Sequence, residues 1–326
     1  MELGIFLDLR NPSQWRRDWA AHYAQTLEWV EQVEAWGAGS VWMTEHHFFD
    51  DGYLPQPLAF GAAVAARTRR VRIGTAVLLG SLRHPVHVAE EAALVDLLSG
   101  GRLELGLGAG WSRREYAAFG VDISRRYTST DDTFVRVREL LDGSGVSPGP
   151  IQRPMPMWLG YQGPQGARRA GRLGAGLLTL NADVLGPYRA GLIEGGHDAD
   201  SARMSGLLDI IVADDPDQAT QRLLPYLAHQ ANTYRRGKAE GTGRQPVDLT
   251  VEGLQELVRA GKPLPGLTVL TPDAAIETIR ARTQGLPAHH VYFWASIAGM
   301  PDDLVERHLE LLFRVVAPAV RGDAGV

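Results

Sequence analysis

Residues 71–107 read VRIGTAVLLGSLRHPVHVAEEAALVDLLSGGRLELGL and contain the clearest strand–helix–strand pattern of the chain. This stretch opens on VRIGTAVLL, the clearest β-like run of the chain, and closes on a second run, RLELGL. Between them, Pro85 marks a helix start, where a missing N–H is tolerated, and the helix is predicted to continue to Leu98. Two glycines then end it. This order predicts one unit of parallel β/α architecture.

The same alternation continues along the chain. Predicted strands cover residues 3–8, 40–44, 71–79, 102–107, 157–160, 176–180, 207–213 and 290–294. Predicted helices cover 15–36, 58–66, 85–98, 113–119, 128–142, 165–173, 216–235 and 302–316, with a Gly- and Pro-rich loop at 143–156. Eight alternations favour a closed barrel over an open sheet, so we predict a single α/β domain, a (β/α)8 TIM barrel, over residues 1–326. A long irregular insertion at about 236–266 is predicted to act as a lid, with an ordinary surface excursion as the alternative.

Composition excludes several classes of protein. The chain has 326 residues, of which 44% are hydrophobic and 22% charged, as is typical of a globular protein with a large core. Its 33 basic and 38 acidic residues give a net charge of −5, which disfavours nucleic-acid binding. It has no cysteine, which excludes cysteine nucleophiles and thiolate metal sites. With no long apolar run and no signal-peptide pattern, we expect a cytoplasmic protein without a membrane segment.

Residues at the carboxyl ends of the predicted strands are the candidate site residues, because parallel barrels carry their active sites there. The candidates are Asp8, the run Glu45-His46-His47, residues 78–80, 106–111 and 160–163, and Ala295 with Ser296. The Glu-His-His run is the most polar strand end, and a histidine there can serve as a general base because imidazole titrates near neutral pH.

A zinc site and a purely structural histidine are the alternatives for this run. Adjacent residues of an extended chain point to opposite faces, so His46 and His47 would not converge on one ion. The HExxH spacing of zinc enzymes is also absent. We therefore predict no metal.

Two glycine-rich segments follow predicted strands. Residues 106–110 read GLGAG, which allows close backbone approach to a ligand but equally fits a tight turn. Residues 160–169 read GYQGPQGARR and lead into a helix start, where free N–H groups can bind a phosphate. A solvated helix face is the alternative for the two arginines.

The chain resembles the bacterial luciferase-like family of flavin-dependent monooxygenases. The resemblance covers most of the chain and is strongest over residues 1–180. The matching blocks are Gly4-Ile5-Phe6, VWMTEHHF at 41–48, IGTAV at 73–77, HPV at 84–86, Ala89-Glu90, DLLSGGR at 96–102, Phe119-Gly120 and the strand–glycine–helix unit at 156–174.

The resemblance implies a β/α barrel with a late insertion that binds FMN, reduced by a separate partner, or a 5-deazaflavin coenzyme. It assigns proton transfer at the reacting centre to His46 and a non-proline cis peptide under the flavin to Ala76–Val77. The residues it implies for cofactor binding are Phe6, Trp42, Glu45, Ala76, Val77, Gly108, Gln162, Gly163, Gly166, Ala167 and Arg168. On the substrate side, the candidate residues are Trp111 and Trp294.

Two positions depart from luciferase itself, which places an arginine where this chain has Ala109 and an acidic–Ser pair where it has Gln162-Gly163. Phosphate binding would therefore depend on the backbone N–H groups of residues 163–167, with help from Arg168. These departures weaken the prediction of FMN more than the prediction of a flavin.

We expect a monooxygenase that uses reduced FMN and dioxygen to oxygenate a small, apolar organic substrate. Hydride transfer with a 5-deazaflavin is one alternative, and a non-catalytic flavin-binding protein is another. The expected partners are the substrate, a flavin reductase and a second copy of the chain. The resemblance implies a homodimer formed through early barrel helices, and the Ala-rich helix at 58–66 would allow close packing there.

Overall fold

Parallel strands close into a barrel in the computed structural model, which describes residues 1–143 and 145–322. Ser144 of the predicted loop and the last four positions of the predicted domain lie outside the described residues. The strands are β1 Glu2–Leu7, β2 Ser40–Met43, β3 Arg72–Thr75, β4 Leu78–Leu79, β5 Leu103–Gly108, β6 Met157–Leu159, β7 Gly176–Leu178, β8 Met204–Leu208, β9 Ile210–Val212, β10 Thr268–Leu270 and β11 Ala288–Trp294. The helices are α1 Trp19–Ala35, α2 Pro57–Arg67, α3 Pro85–Ser99, α4 Arg113–Ala118, α5 Arg126–Asp142, α6 Gly163–Arg172, α7 Leu185–Glu194, α8 Pro216–Ala239, α9 Val251–Arg259, α10 Pro272–Thr283, α11 Asp302–Leu311 and α12 Ala317–Gly322.

The barrel closes through the pairing of β3 with β5. The sheet order is β3-β2-β1-β11-β8-β7-β6-β5-β4, and every pair in it is parallel. The first and last strands are neighbours, with Ile5 of β1 opposite Val41 on one side and Phe293 on the other. The predicted (β/α)8 barrel is therefore confirmed.

The predicted third strand is divided into β3 and β4 by a cis peptide bond between Ala76 and Val77. This is the position that the family resemblance implied. Beside the division, Thr75 Oγ1 donates to the carbonyl of Gly106 at 2.8 Å and accepts from its N–H at 2.9 Å. A threonine side chain thus ties β3 to β5 where the ladder is interrupted.

The late part of the chain differs from the sequence prediction. The predicted strand at 207–213 is two strands, because β8 starts at Met204 and β9 leaves the barrel to pair with β10. The predicted irregular segment at 236–266 contains the end of α8 and all of α9. Helix α9 escapes prediction because it is short and Gly- and Pro-rich sequence flanks its apolar residues Leu254, Leu257 and Val258.

The guanidinium of Arg102 joins three elements below the barrel. It donates to the carbonyls of Ala65, Thr68, Val71 and Ser99 at 2.6–3.2 Å and to the Thr68 hydroxyl at 2.9 Å. The residue is 8% exposed, so these acceptors have little access to water. Arg102 therefore stabilises the junction of α2, α3 and the start of β3.

Replacing Arg102 by methionine is expected to lower the free energy of unfolding by about 3 kcal/mol, because the change leaves buried carbonyls without donors. Urea denaturation followed by circular dichroism measures the loss. Arg136→Met is the matched control, since Arg136 is exposed and pairs with Glu139 one turn away. A loss at Arg102 no larger than that at Arg136 would contradict the structural role.

Candidate functional site

His46 and Glu115 form a buried pair at the carboxyl end of β2. His46 Nδ1 lies 2.8 Å from Glu115 Oε1, and the same oxygen accepts the His47 backbone N–H at 2.8 Å. Glu115 is fully buried in α4 and His46 is 6% exposed. Because an ionised carboxylate only accepts, Nδ1 of a neutral His46 carries the hydrogen and Nε2 holds the free lone pair. Nε2 is thus the atom that can take up or deliver a proton.

Four aromatic rings surround His46 and form what we call the aromatic cage. Their centroids lie 4.8 Å (Tyr53), 5.0 Å (Phe49), 5.1 Å (Trp111) and 6.3 Å (Tyr234) from the His46 ring. The hydroxyls of Tyr53 and Tyr234 share a 2.7 Å hydrogen bond. Burial raises the pKa of Tyr53 well above its ordinary value and that of Tyr234 to about 12, so both phenols stay protonated. Tyr234 belongs to α8, so the late segment of the chain completes the cage.

Glu45 points away from this pair. Its Oε1 accepts from His47 Nε2 and from Arg83 Nη2, each at 2.8 Å, and its Oε2 accepts the Leu79 N–H at 2.7 Å. Burial opposes its ionisation, but the His47 hydrogen bond and the Arg83 charge hold the pKa of Glu45 below its usual value. The predicted cofactor contact is corrected here, because both carboxylate oxygens are engaged by protein donors. Glu45 instead fixes β4 against the end of β2.

The two histidines diverge as the strand geometry predicts, since His46 pairs with Glu115 and His47 with Glu45. Within residues 1–143 and 145–322, no three His, Asp or Glu side chains are grouped closely enough to hold a metal ion.

The cis peptide forms the open floor of the barrel mouth. Ala76 and Val77 are half-buried, whereas Thr75 and Leu78 on either side are fully buried. A Cβ on Gly108 would lie 2.3 Å from a Val77 methyl, so glycine is required there for the Val77 side chain to lie against β5. The predicted residues Ala76, Val77 and Gly108 therefore lie together at the mouth of the barrel.

Phe6 and Trp294 pack against each other next to this floor. Their ring centroids are 4.7 Å apart, and Trp294 Nε1 donates to Asp209 Oδ1 at 2.9 Å. Both rings are more than nine-tenths buried, so they support the floor rather than line a wide opening.

Trp42 does not reach the mouth, which corrects its predicted contact with the cofactor. Its indole Nε1 donates to Ser40 Oγ at 3.0 Å, toward the amino end of β2. The ring packs on Tyr292 at 5.0 Å and on Trp158 at 6.1 Å, and it is fully buried. Trp42 therefore fills the barrel interior below the site.

The start of α6 is open, as the predicted phosphate site requires. Gln162 precedes it without a side-chain cap, and Gln162 and Gly163 are exposed. Gly163 has φ of +72°, and no heavy atom of the described residues lies within 4 Å of where a Cβ would be. Ala167 is fully buried and Gly166 packs against Tyr161, so these two offer only backbone groups. The uncapped N–H groups of this turn can take an anion.

Arg168 lies away from this turn, which corrects its predicted role. Its Nε donates to both carboxylate oxygens of Glu194, at 2.8 and 3.0 Å. Glu194 ends α7, and helices run back from the mouth to the opposite end of the barrel, so Arg168 points away from the mouth. Its neighbour Arg169 turns the other way and pairs with Asp131, which also accepts from the Tyr161 hydroxyl at 2.6 Å.

A set of charged residues, which we call the polar cluster, lies beside the cage and consists of Asp8, Arg10, Asp51 and His229. Arg10 Nε and His229 Nε2 donate to the same oxygen of Asp51, at 2.7 and 2.9 Å. The Arg10 N–H donates to Asp8 Oδ1 at 3.3 Å. Burial, partly offset by the Arg10 charge, raises the pKa of Asp8 from 3.8 to about 6.

The raised pKa of Asp8 predicts a pH-dependent gain in stability for Asp8→Asn. The unfolded chain releases this proton near pH 3.8 and the folded protein only near 6, so the free energy of unfolding falls as the pH rises between them. Asparagine has no such proton, so the variant does not lose stability over this pH range. We expect its free energy of unfolding to exceed that of the unaltered protein by up to about 3 kcal/mol at about pH 8. Urea denaturation at several pH values measures it. A gain of equal size below about pH 4 would contradict this origin.

A cavity of about 630 Å³ opens beside the cage and the polar cluster. Its size is in the range of small-molecule sites. Its walls come from the loop after β2, the start of α4, the end of α8 and the chain that follows α8. The lining includes His47, Phe48, Phe49, Asp50, Asp51, Ser112, Arg114, His229, Thr233, Arg236, Glu240, Gly241, Gly243 and Arg244. Carboxylates and guanidinium groups stand beside aromatic rings in this lining.

Sequence reasoning missed Glu115, Tyr53, Tyr234 and Arg10. Ser112 and Glu115 have the S-x-x-E spacing of a capping box, and Ser112 Oγ does accept the Glu115 N–H at 3.3 Å. That pattern marks a helix start but not a contact with His46. The other three residues are recognisable only once α8 is placed over the mouth.

Residues 1–286 match the family model described as luciferase-like monooxygenase. Limonene 1,2-monooxygenase of Rhodococcus erythropolis is 27% identical over 100% of this chain and 88% of its own length. An F420-dependent glucose-6-phosphate dehydrogenase of Amycolatopsis mediterranei is 32% identical over 50% of this chain, and the match spans only 55% of that protein. Among solved structures, the oxygenating constituent of 3,6-diketocamphane monooxygenase from Pseudomonas putida, in complex with FMN, superposes with a TM-score of 0.70 at 18% identity, covering 98% of both chains.

Proposed function

The chain belongs to the luciferase-like monooxygenase family, and from this premise we propose that it oxygenates a small organic substrate with reduced FMN and dioxygen. It is an oxidoreductase of a family whose members use FMN or F420. The observation that carries the proposal is the His46–Glu115 pair, enclosed by the aromatic cage and completed by a residue of α8.

The mouth of the barrel fits a flavin. Ala76 and Val77 offer an apolar surface on which a flat ring can rest, and the turn that begins at Gly163 offers N–H groups to a phosphate. Reduced FMN, when bound, supplies the electrons with which dioxygen is activated and one oxygen atom is inserted into the substrate.

His46 serves this chemistry as the proton-handling group. Glu115 fixes the ring so that Nε2 remains the free nitrogen, and it stabilises the charged ring when Nε2 takes up a proton. The cage excludes water from that nitrogen, which protects reactive species from hydrolysis. Trp111 is the cage member that comes from the loop after β5, and we propose that it contacts the substrate.

We propose that the insertion at about 236–266, with the adjoining end of α8, acts as a lid. Tyr234 bonds Tyr53, and His229 bonds Asp51, so two hydrogen bonds hold α8 to the loop after β2. Release of these contacts would open the cavity for substrate entry and product departure.

Hydride transfer with F420, the 5-deazaflavin coenzyme, is the second candidate function. Besides the dehydrogenase relative, one feature of the chain favours it: Ala109 replaces the arginine that luciferase offers to the FMN phosphate, and Arg168 is turned away. A non-catalytic flavin carrier is a third reading, but storage of a flavin needs no buried histidine–carboxylate pair. A separate flavin reductase and a homodimer remain proposals.

The phosphate site gives a prediction that separates FMN from riboflavin. Gly163→Val places a side chain where the structure leaves space and where φ disfavours it, so the approach of a phosphate is blocked. We expect reduced FMN to bind about tenfold more weakly to the variant, and riboflavin, which has no phosphate, to bind as before. Fluorescence titration under anaerobic conditions measures both. Equal losses for the two flavins would contradict the assignment of the phosphate site.

Isotope transfer tests the oxygenation itself. The protein, reduced FMN and dioxygen enriched in heavy oxygen are incubated with a panel of ketones, aldehydes and terpenes, and products are analysed by mass spectrometry. We expect one labelled oxygen atom in a product. A panel that gains no label, together with turnover of alcohols by F420 in the absence of dioxygen, would overturn the proposal in favour of hydride transfer.

A further inference from the structure

A second histidine–carboxylate pair lies at the wall of the cavity. His47 lines the cavity, and its Nε2 lies 2.8 Å from Glu45 Oε1. The Glu45 carboxylate also accepts from Arg83, and an ionised carboxylate only accepts. Nε2 of a neutral His47 therefore carries the ring hydrogen, and Nδ1 holds the lone pair. Proton transfer inside the aromatic cage is assigned to His46, so this second pair is left for another task.

Nδ1 of His47 remains accessible. Within the part of the chain that the structure describes, this nitrogen makes no hydrogen bond, and it is not sealed from solvent. The His47 side chain is 9% exposed, whereas the Glu45 side chain behind it is 1% exposed. The His47 ring packs on Phe119 with 4.9 Å between the ring centroids, which holds its orientation. An accessible lone pair with a buried carboxylate behind the ring is the arrangement of a general base.

Aromatic rings and a guanidinium group stand beside His47 in the cavity wall. Phe48 and Phe49 line the cavity, and the Phe49 ring lies 5.0 Å from the His46 ring. Arg114 also lines it, and its Nη1 donates to the Phe48 carbonyl at 3.0 Å. Among the described residues, no carboxylate pairs with Arg114. One wall of the cavity thus offers surface to an aromatic ring and an unpaired positive charge to an oxyanion.

The other charged groups of the lining give no general attraction for anions. Two of them, Asp51 and Arg236, are already in ion pairs. Two carboxylates and one guanidinium remain besides His229. A molecule that enters neutral and becomes charged only beside His47 and Arg114 therefore fits better than one that enters as an anion. The groups counted here are Asp50, Asp51, His229, Arg236, Glu240 and Arg244.

We propose that His47, supported by Glu45, is a second base, which deprotonates a phenolic hydroxyl of the substrate. The O–H bond breaks, the proton moves to Nδ1, and the electron pair stays on the phenolate oxygen, near Arg114. Phenols titrate near about 10 in water, so an imidazole flanked by a carboxylate can take up their proton, whereas an aliphatic alcohol is far less acidic.

The inference rests on the proposed function in taking the cavity as the place where substrate binds, and it narrows the substrate class to phenols. Deprotonation makes the aromatic ring richer in electrons, which favours the insertion of an oxygen atom into it. His47 would thus prepare the substrate, while His46 handles the proton at the reacting centre.

4-Nitrophenol tests the base on the full chain without any flavin, because its absorption distinguishes the phenol from the phenolate. The probe is titrated with protein at a pH at which the free probe is almost entirely protonated. 4-Nitroanisole, which has no hydroxyl, measures binding without ionisation. We expect the ratio of phenolate to phenol to be at least about tenfold higher for the bound probe than for the free probe. A bound probe that stays protonated, or no binding of 4-nitrophenol, would overturn the inference.

Variants assign the ionisation to His47. His47→Gln keeps an amide N–H for Glu45 and removes the lone pair, so the phenolate signal should disappear while 4-nitroanisole binds as before. His87→Gln, at the exposed start of α3, is the matched control and should retain the signal. Arg114→Met changes an exposed side chain and should lower the phenolate fraction, and it serves if His47→Gln does not fold. A phenolate signal that survives His47→Gln would contradict the assignment.

His229 also lines the cavity and pairs with Asp51 at 2.9 Å. A signal that is lost in His229→Gln but retained in His47→Gln would place the base on α8 and overturn the inference. Because no flavin is present, failure of the FMN proposal would leave a phenolate signal intact. Absence of that signal would in turn leave the labelled-oxygen test of the proposed function unaffected.

Discussion

His46→Ala is expected to lower kcat by about 10²–10⁴-fold, the usual contribution of a positioned proton-transfer group. Affinity for reduced flavin should change little, because the floor at Ala76–Val77 and the turn at Gly163 are left intact. Steady-state kinetics and anaerobic flavin titration on the same preparation measure the two quantities. His87→Ala is the matched control, since His87 is exposed at the start of α3.

Equal loss of turnover and flavin binding in His46→Ala would contradict the assignment, because the histidine would then be a binding residue. Unchanged turnover would contradict it more strongly, because proton transfer would then not depend on His46.

Glu115→Gln is expected to lower kcat by about 100-fold, since an amide can donate to Nδ1 and so place the ring hydrogen on Nε2. Glu115 acts through His46, so it is a positioning residue, and the pH dependence of kcat should change as well. Glu115→Asp should restore part of the rate, because the shorter carboxylate still accepts from Nδ1. Glu139→Gln on the exposed face of α5 is the control.

A purely structural role for Glu115 would give a different result. Loss of rate would then follow loss of stability, and the pH profile of the remaining activity would match that of the unaltered enzyme. Denaturation midpoints measured alongside the kinetics separate the two cases.

The barrel and much of its mouth could be predicted because local patterns determine them. Alternating apolar runs and glycine-terminated helices identify β/α units without knowledge of contacts, and the strand-end rule then selects His46. The cis bond at Ala76–Val77 was placed by family resemblance, and the structure confirms its position.

The site predictions that fail concern residues whose role depends on the direction of the side chain. Trp42 and Arg168 lie in the predicted elements. The Trp42 side chain points into the barrel interior, however, and the Arg168 side chain points to the carboxyl end of α7. Glu115 is 69 residues from His46, and α8 reaches the cage from the other end of the chain. Such distant contacts leave no periodic signal in a single sequence.

A paired anaerobic titration of the purified protein with reduced FMN and with reduced F420, followed by fluorescence, tests directly which coenzyme the barrel uses. We predict tight binding of reduced FMN, at least about 100-fold tighter than that of F420, a difference near 3 kcal/mol. Tight binding of F420 alone would contradict oxygen insertion and establish hydride transfer as the function. Binding of neither coenzyme would show that the open turn at Gly163 is not a phosphate site.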